Sequence, residues 1–476
     1  MNRILLFILL AVSALVMRAQ EAEQAFYGGP YDDDGHQVID LTDGYVVVGT
    51  TASVNDGDTD IYVLRLNDDL TVAWSRTLGT HSPEQGRSVC VANNGDLLVL
   101  GHTTQGGLGG YDLVLYRLSA DGSTIWQRNY GTSDWDFATK IVKGVSMYYI
   151  AATTHGFSPG NARQWMFRIN DNGDFIDEST YDVLAEAEAH DLVWHNNALY
   201  LIGTRRYEGQ NEGGILRKLS PSGEVLWEYV QDSTAFQGRA VAVGDFGVTA
   251  SFAKNNPVQN NTWDFFMAYF DEDGTELSNA WLPTPDVSNQ VVQGVANVGN
   301  VNIHVASTDF YGFGGLSNYV LRLDNMGVFQ SAIVLGFDQN DEPRDIIVDD
   351  QERVVILGYS RSFGNGYADV WLVRLPDPVV LGSYEFNDVN YVDTAPFTAI
   401  DEKNESSDFL PYPNPAREVI HIPADANDVS LVGLLGMRFT PEVNNGAVDL
   451  SSIPAGSYIL EYGLNQAVYR HRIAIK

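Results

Sequence analysis

The fold is decided by residues 78–131, LGTHSPEQGRSVCVANNGDLLVLGHTTQGGLGGYDLVLYRLSADGSTIWQRNYG, because variants of this stretch recur along most of the chain. It holds four short β-type runs: Ser88 to Ala92, Asp96 to Gly101, Tyr111 to Leu118 and Thr124 to Tyr130. Asn94-Gly95 separates the first two and Asp121-Gly122 the last two. Such dipeptides supply the positive-φ positions of tight hairpins, so neighbouring strands are antiparallel. The middle runs, LLVLG and DLVLYRL, are apolar at consecutive positions rather than alternate ones, which requires cover on both faces. A sheet stacked between two similar sheets provides it.

The copies align on a basic or aromatic residue followed by an apolar one: Arg65-Leu66, Arg117-Leu118, Arg168-Ile169, Lys218-Leu219, Tyr269-Phe270, Arg322-Leu323 and Arg374-Leu375. The second turn recurs as Asn172-Gly173, Ser222-Gly223, Asp273-Gly274 and Met326-Gly327. Seven four-stranded units with a period of about 51 residues are the signature of an all-β, seven-bladed β-propeller. A solenoid coil is much shorter and needs no hairpin-linked strands. The seventh copy stops at Pro376 without its fourth strand, whereas Glu23 to Gly28 matches the fourth-strand ending Gln127 to Gly131. The N-terminal segment is therefore expected to close the last blade and remove its exposed edge.

The 476 residues include 62 Asp and Glu against 28 Lys and Arg, a net charge of -34. That charge repels phosphate backbones and argues against a nucleic-acid partner. Asn2-Arg3 followed by the apolar run Ile4 to Val16 reads as a secretory signal peptide, with cleavage expected after Ala19. No later segment reads as a transmembrane span. Cys90 is the one cysteine, so no disulfide framework forms within the chain and stability must come from packing. The expected organisation is signal peptide 1–19, propeller 20–381, an acidic linker 382–408 and a small C-terminal β-sandwich at 409–476, in a monomeric protein.

The last 70 or so residues carry Tyr412-Pro413-Asn414-Pro415, Val419 to Ile422, Gly433 to Gly436, Val448-Asp449, Gly456-Ser-Tyr458 and the closing Arg470 to Lys476. This combination resembles the type A C-terminal sorting domain of the type IX secretion system of Bacteroidetes. The resemblance implies an Ig-like sandwich and a sorting motif including Pro413, Asn414, Pro415, Gly436, Asp449, Gly456 and Tyr458. It also implies recognition by the type IX machinery, passage through the periplasm, and release or attachment at the outer-membrane surface. The looser blade pattern resembles propeller-like repeats of exported proteins from the same bacteria.

Loops between the second and third strands share one face of a propeller with the blade connectors, and that face is the expected working surface. At the start of the innermost strands an acid, a small residue and a basic or polar residue recur: Asp33, Gly35, His36; Glu84, Gly86, Arg87; Asp136, Ala138, Thr139; Asp341, Pro343, Arg344. Blades four and five offer His190 and Arg239 at the basic position, and blade six departs with Val292. A channel-mouth site of His36, Arg87, His190, Arg239, Arg344, Glu84, Asp136 and Asp341 suits an anionic or sugar-like ligand. The competing expectation is that these bases pair with the neighbouring acids and hold blade to blade.

Aromatics at Phe157, Tyr207, Trp263, Phe310, Tyr311, Phe313, Phe363 and Tyr367 either face a glycan or protein ligand or pack their own loops. Asp32 to Asp34 and Asp56 to Asp60 raise Ca²⁺ without matching an EF-hand, and no other cofactor is implied. No His-Glu-x-x-His, Gly-x-Ser-x-Gly or P-loop sequence is present. The expected function is an exported module binding an extracellular carbohydrate or protein. A polysaccharide-degrading glycosidase or lyase, with its site assembled at the channel mouth from several blades, is the alternative.

Overall fold

The computed structural model describes residues 21–375 except 55–57, 108, 158–160, 183, 258–261, 283–287, 310–314, 337–338 and 365–366. It also describes 385–386, 390–393, and 417–475 except 418, 434–437, 455 and 465–466. The chain forms two compact units, Met1–Thr398 and Ala399–Lys476.

The first unit is a seven-bladed propeller. Blade two runs Glu84–Val91, Leu97–Thr103, Asp112–Leu118 and Thr124–Tyr130 from the axis outward, each strand antiparallel to the next. The two middle strands are buried at every position, and the outermost is half exposed. Apolar clusters fill the spaces between blades: Val46, Val48, Ile61 and Val63 of blade one pack on Val89, Val99 and Val114 of blade two. The third-turn glycines adopt left-handed backbone, as at Gly122 (φ 81°) and Gly173 (φ 79°). In blade one Leu70 takes that conformation (φ 62°), buried, with its carbonyl accepting from Tyr27 Oη at 2.8 Å.

In several blades the basic residue of the Arg-Leu signature is an inter-blade staple. Arg168 Nη1 donates to Pro221 O at 3.0 Å and Lys218 Nζ to Glu272 O at 2.7 Å, each reaching the third turn of the following blade. Outer-strand tryptophans reinforce the link, with Trp74 Nε1 donating to Ala120 O at 3.1 Å. Arg65 instead stays within blade one, on Tyr45 O and Asp43.

The N-terminal strand Glu21–Gly28 is the fourth strand of blade seven, antiparallel to Asp369–Leu375 in the register Glu23 to Arg374 and Tyr27 to Val370. Ala25 and Tyr27 join Leu357 and Val370 in a core shared with Val38, Tyr45 and Tyr62 of blade one, which closes the ring. One feature differs from the acidic linker read at 382–408. Glu385–Phe386 and Asn390–Asp393 are strands, both parallel to the N-terminal strand, so this part of the segment extends the seventh sheet.

The second unit has a three-stranded and a four-stranded sheet sharing a core that includes Ile420, Val429, Leu431, Val448, Tyr458, Leu460 and Tyr462. Tyr458 Oη donates to Pro454 O at 2.7 Å, Asp449 Oδ1 accepts from Ser451 N at 2.9 Å, and Gly456 starts a strand. Pro413, Asn414, Pro415 and Gly436 lie outside the described residues. Among the described residues no helix is long and apolar enough to cross a membrane.

Candidate functional site at the channel mouth

Every innermost strand carries a β-bulge at the same place. The register slips between Gly35 and Gln37, Gly86 and Ser88, Ala138 and Lys140, Ala189 and Asp191, Gly238 and Ala240, Val292 and Gly294, and Pro343 and Asp345. The extra residues are His36, Arg87, Thr139, His190, Arg239, Gln293 and Arg344, and all seven line a central cavity of about 570 Å³. A bulge frees a residue from the ladder and re-aims its side chain. Here it does so seven times around one axis. Blade six therefore contributes Gln293, not Val292, which is fully buried in the wall between blades five and six.

The ring residues differ in how they are held. Arg344 donates from Nη2 to Asp34 Oδ2 at 3.1 Å and from Nη1 to Glu342 Oε2 at 3.5 Å, and it lies 5.0 Å from the Tyr359 ring centroid. Burial works against its charge, but these carboxylates outweigh burial and raise its pKa. Arg87 has neutral partners, Gln85 Oε1 at 3.0 Å and His36 Nδ1 at 3.4 Å. Arg239 likewise donates to Gln293 Oε1 at 2.9 Å and Val292 O at 3.4 Å. Neither arginine makes an ion pair among the described residues, and burial, followed by electrostatic effects that include repulsion from Arg344, lowers both pKa values. Arg87 Nε and Asp34 Oδ1 have no hydrogen-bond partner. Burial and the neighbouring arginines hold His36 neutral, so its Nδ1 can accept from Arg87. His190 is also depressed by burial, although Glu188 Oε2 lies 3.6 Å from its Nε2.

Below the ring the bore carries a charged layer and then an apolar one. Lys140 Nζ lies 3.1 Å from Asp191 Oδ1. Asp191 Oδ2 accepts from Val241 N at 3.1 Å, and Asp345 Oδ2 from Val38 N at 3.0 Å. Both carboxylates thereby tie one blade's innermost strand to another's. Burial pushes Asp345 up to about 6, Lys140 restraining the shift. Farther along the same strands Ile39, Val193, Val243 and Ile347 line the cavity.

Three acids expected at the mouth are elsewhere. Glu84, Asp136 and Asp341 are buried between blades. Glu84 accepts from Thr80 N and Oγ1 at 3.1 and 2.7 Å, and Asp136 Oδ2 from Thr132 Oγ1 at 2.9 Å, each capping a blade connector. Asp341 accepts from Ser360 Oγ at 2.6 Å and Ser362 Oγ at 2.7 Å. The cause is strand alternation: side chains three positions apart point to opposite faces, whereas those two apart share one. The acids beside the bases are therefore Asp34, Glu188 and Glu342, two positions upstream of His36, His190 and Arg344. Asp34 also lines a 460 Å³ outer vestibule with His36, Arg87, Arg239, Gln293 and Arg344.

The aromatic set is also rearranged. Phe363 packs on Phe26 at 5.3 Å inside blade seven, Trp263 is half buried at the start of a strand, and Tyr207 lies under Arg205. Phe157 and Tyr367 are exposed, and Phe310, Tyr311 and Phe313 are outside the described residues. Missed from sequence is a cluster beside the mouth: Tyr111, Trp135, Phe137, His102 and His155, with centroid separations of 5.3 to 6.2 Å. Its signal was Trp135, a large aromatic directly before Asp136 where the other blades have Asp32, Pro83, Glu186, Ala235, Asn289 and Asn340.

Among the described residues no three His, Cys, Asp or Glu side chains converge as a metal site. Asp33, one of the acids considered for Ca²⁺, caps a connector through Gly29 N at 2.7 Å and Ser53 Oγ at 2.7 Å. Cys90 is buried, its thiol pushed up to about 12 by that burial.

Chain architecture and site define a seven-bladed β-propeller with a basic and polar ring at its channel mouth. No family model matches the chain, and no curated protein matches it. Similar solved structures include a subtype N10 neuraminidase-like protein of A/little yellow-shouldered bat/Guatemala, at 8% identity and TM-score 0.39, covering 76% of this chain and 95% of that one. Extracellular domains 1-2 of Drosophila Semaphorin 1b match at 10% identity and TM-score 0.45, covering 75% and 88%. Sqt1 from Chaetomium thermophilum matches at 10% and 0.41, covering 71% and 81%. At these values no chemistry is carried over from them.

Proposed function

We propose that this protein is an exported binding module whose channel mouth holds an anionic, polyhydroxylated ligand, a carbohydrate bearing acid groups. The observation that carries this reading is the pair Arg87 and Arg239, directed into the cavity with only neutral partners. Asp34 and Glu188 act on these two guanidiniums only at longer range, and a guanidinium that no carboxylate pairs directly in a partly desolvated wall is costly unless a ligand supplies the anion. Gln293, Thr139, Asp34 and neutral His36 add the mixed donors and acceptors that sugar hydroxyls require. An acidic protein segment would meet the same arginines, but the recessed position of the ring favours a slender glycan.

The tail completes the proposal. Its resemblance to type IX sorting domains supports export through the periplasm to the outer-membrane surface or the medium. Fusing 409–476 behind a signal peptide and a reporter should send that reporter out of cells that possess the machinery. Retention of the fusion in the periplasm overturns this part.

The binding part is tested with an array of uronic-acid, sulfated and neutral glycans, followed by calorimetry. The expected result is binding of acidic glycans that the Arg87→Gln/Arg239→Gln double variant loses. A second reading, glycan cleavage, is favoured by Glu188 beside His190 and Arg239 in a 140 Å³ side pocket, where a carboxylate and an imidazole could share a proton. Incubating the bound polymer separates the two: unchanged chain length supports binding alone, and new reducing or unsaturated ends support catalysis.

A further inference from the structure

The cluster of Trp135, Tyr111 and Phe137 has chemistry that the propeller core does not need. Trp135 is 53% exposed, far from the burial that normally accounts for a tryptophan. It is nonetheless fixed: its ring meets Phe137 edge-to-face at 6.0 Å and Tyr111 at 6.2 Å. Its carbonyl accepts from His155 N at 2.9 Å, and its own N–H donates to Asp134 Oδ1 at 2.9 Å. Asp136 N donates to Tyr111 O at 2.7 Å, so the connector carrying the tryptophan is tied to the loop carrying the tyrosine.

The cluster is continuous with the mouth. Phe137 stands two positions before the bulge residue Thr139 on the same strand face, and both line the central cavity. His102 lies between the two zones: its ring is 5.5 Å from Phe137, and Arg87 helps burial push its pKa down to about 3. It is 3% exposed, and its Nδ1 has no partner. An exposed, rigidly backed indole thus leads through Phe137 to the cavity that Arg87 lines, where no carboxylate pairs that guanidinium directly.

We infer that Trp135, backed by Tyr111 and Phe137, is a ring-stacking subsite for one sugar of an acidic oligosaccharide whose charged unit reaches Arg87. This rests on the channel-mouth binding proposed above and deepens it: the ligand is a glycan chain of more than one unit. A fixed aromatic face offers apolar area at little entropic cost, matching the C–H face of a pyranose, while the guanidinium matches its acid group.

The experiment uses the full chain and the acidic oligosaccharide series that binds best on the glycan array, compared at increasing chain length. Trp135→Ala is expected to weaken the longer oligosaccharides about tenfold. It should leave the monosaccharide and the melting temperature unchanged, and Trp135→Phe should restore most of the affinity. If Arg87→Gln abolishes binding while Trp135→Ala changes no affinity, the subsite is overturned and the channel-mouth reading survives. If no acidic glycan binds the wild type, or an acidic peptide binds instead, both fall.

Discussion

Arg374 and Glu23, 351 positions apart in sequence, meet across the seam of the ring: Arg374 Nε donates to Glu23 Oε2 at 2.6 Å where the two face each other in the strand register. The next pair inward, Trp371 Nε1 and Gln24 Oε1 at 3.2 Å, is buried. Deleting 21–29 removes the fourth strand of blade seven and should lower the melting temperature sharply. Phe26→Ala alone, at a fully buried position, should cost about 3–5 kcal/mol in denaturant unfolding. An unchanged melting curve for the deletion would mean that the ring does not depend on this closure.

Gly79 sits where two blades meet. A Cβ there would lie 1.8 Å from Asp60 Oδ1 and 2.9 Å from Glu84 Oε2, both on buried side chains. Gly79→Ala should therefore destabilise by about 1–3 kcal/mol through forced displacement of these acids. Urea titration of the variant checks it, and unchanged stability would show that the junction yields.

The arginines of the mouth should separate into two classes. Removing Arg344 leaves Asp34 and Glu342 without their cation, so Arg344→Leu should cost on the order of 1–3 kcal/mol. Arg239→Leu removes a cation that has only neutral partners, and its melting temperature should stay the same or rise. Equal losses in both variants would indicate that Arg239 has a structural role.

Asp345 makes stability depend on pH. Its folded pKa, raised to about 6, lies above an ordinary carboxylate's, so the native state holds this proton more tightly than the unfolded chain does. Its contribution is complete below about pH 4 and is lost as pH rises through 6, a change on the order of 3 kcal/mol. His102 and His304, each pushed down to about 3, act in the opposite direction and lose stability as pH falls below about 6.5. The wild-type minus Asp345→Asn difference isolates the first effect and should fall between pH 4 and 6. A flat difference would place the ordinary carboxylate value at Asp345.

Cys90 should resist thiol reagents in the native state, since its thiol is buried and held protonated. Full labelling by a disulfide reagent without denaturant would contradict this burial.

The propeller was legible because its signals are local and repeated. A third turn needs a left-handed residue, so Gly122 through Gly327 mark it, and several third strands put a hand on the next blade, which Arg168 and Lys218 mark. The basic ring was legible for the same reason of recurrence. Its acidic partners were misplaced because Glu84, Asp136 and Asp341 recur three positions before the ring residue, and a strand's alternation turns that position away from the bore. Gln293 was missed because a bulge shifts register without leaving a residue type of its own. The Trp135 cluster occurs in one blade, so no repetition pointed to it, and its rings come from separate loops that meet only after folding.

Apart from Arg344, paired with Asp34 of blade one, and Thr139, which donates to Ala189 O of blade four, the seven bulges also separate what the mouth recognises from what the barrel of blades requires. Each innermost strand lends the bore one side chain that its ladder does not use, so His36, Arg87, Thr139, His190, Arg239, Gln293 and Arg344 form a seven-letter word written on a fixed page. The other letters can be exchanged singly, leaving the inter-blade staples and the buried connector caps untouched. Such a scaffold can drift from one ligand to another by point substitution alone, and combinatorial libraries at these seven positions are the natural place to redirect it.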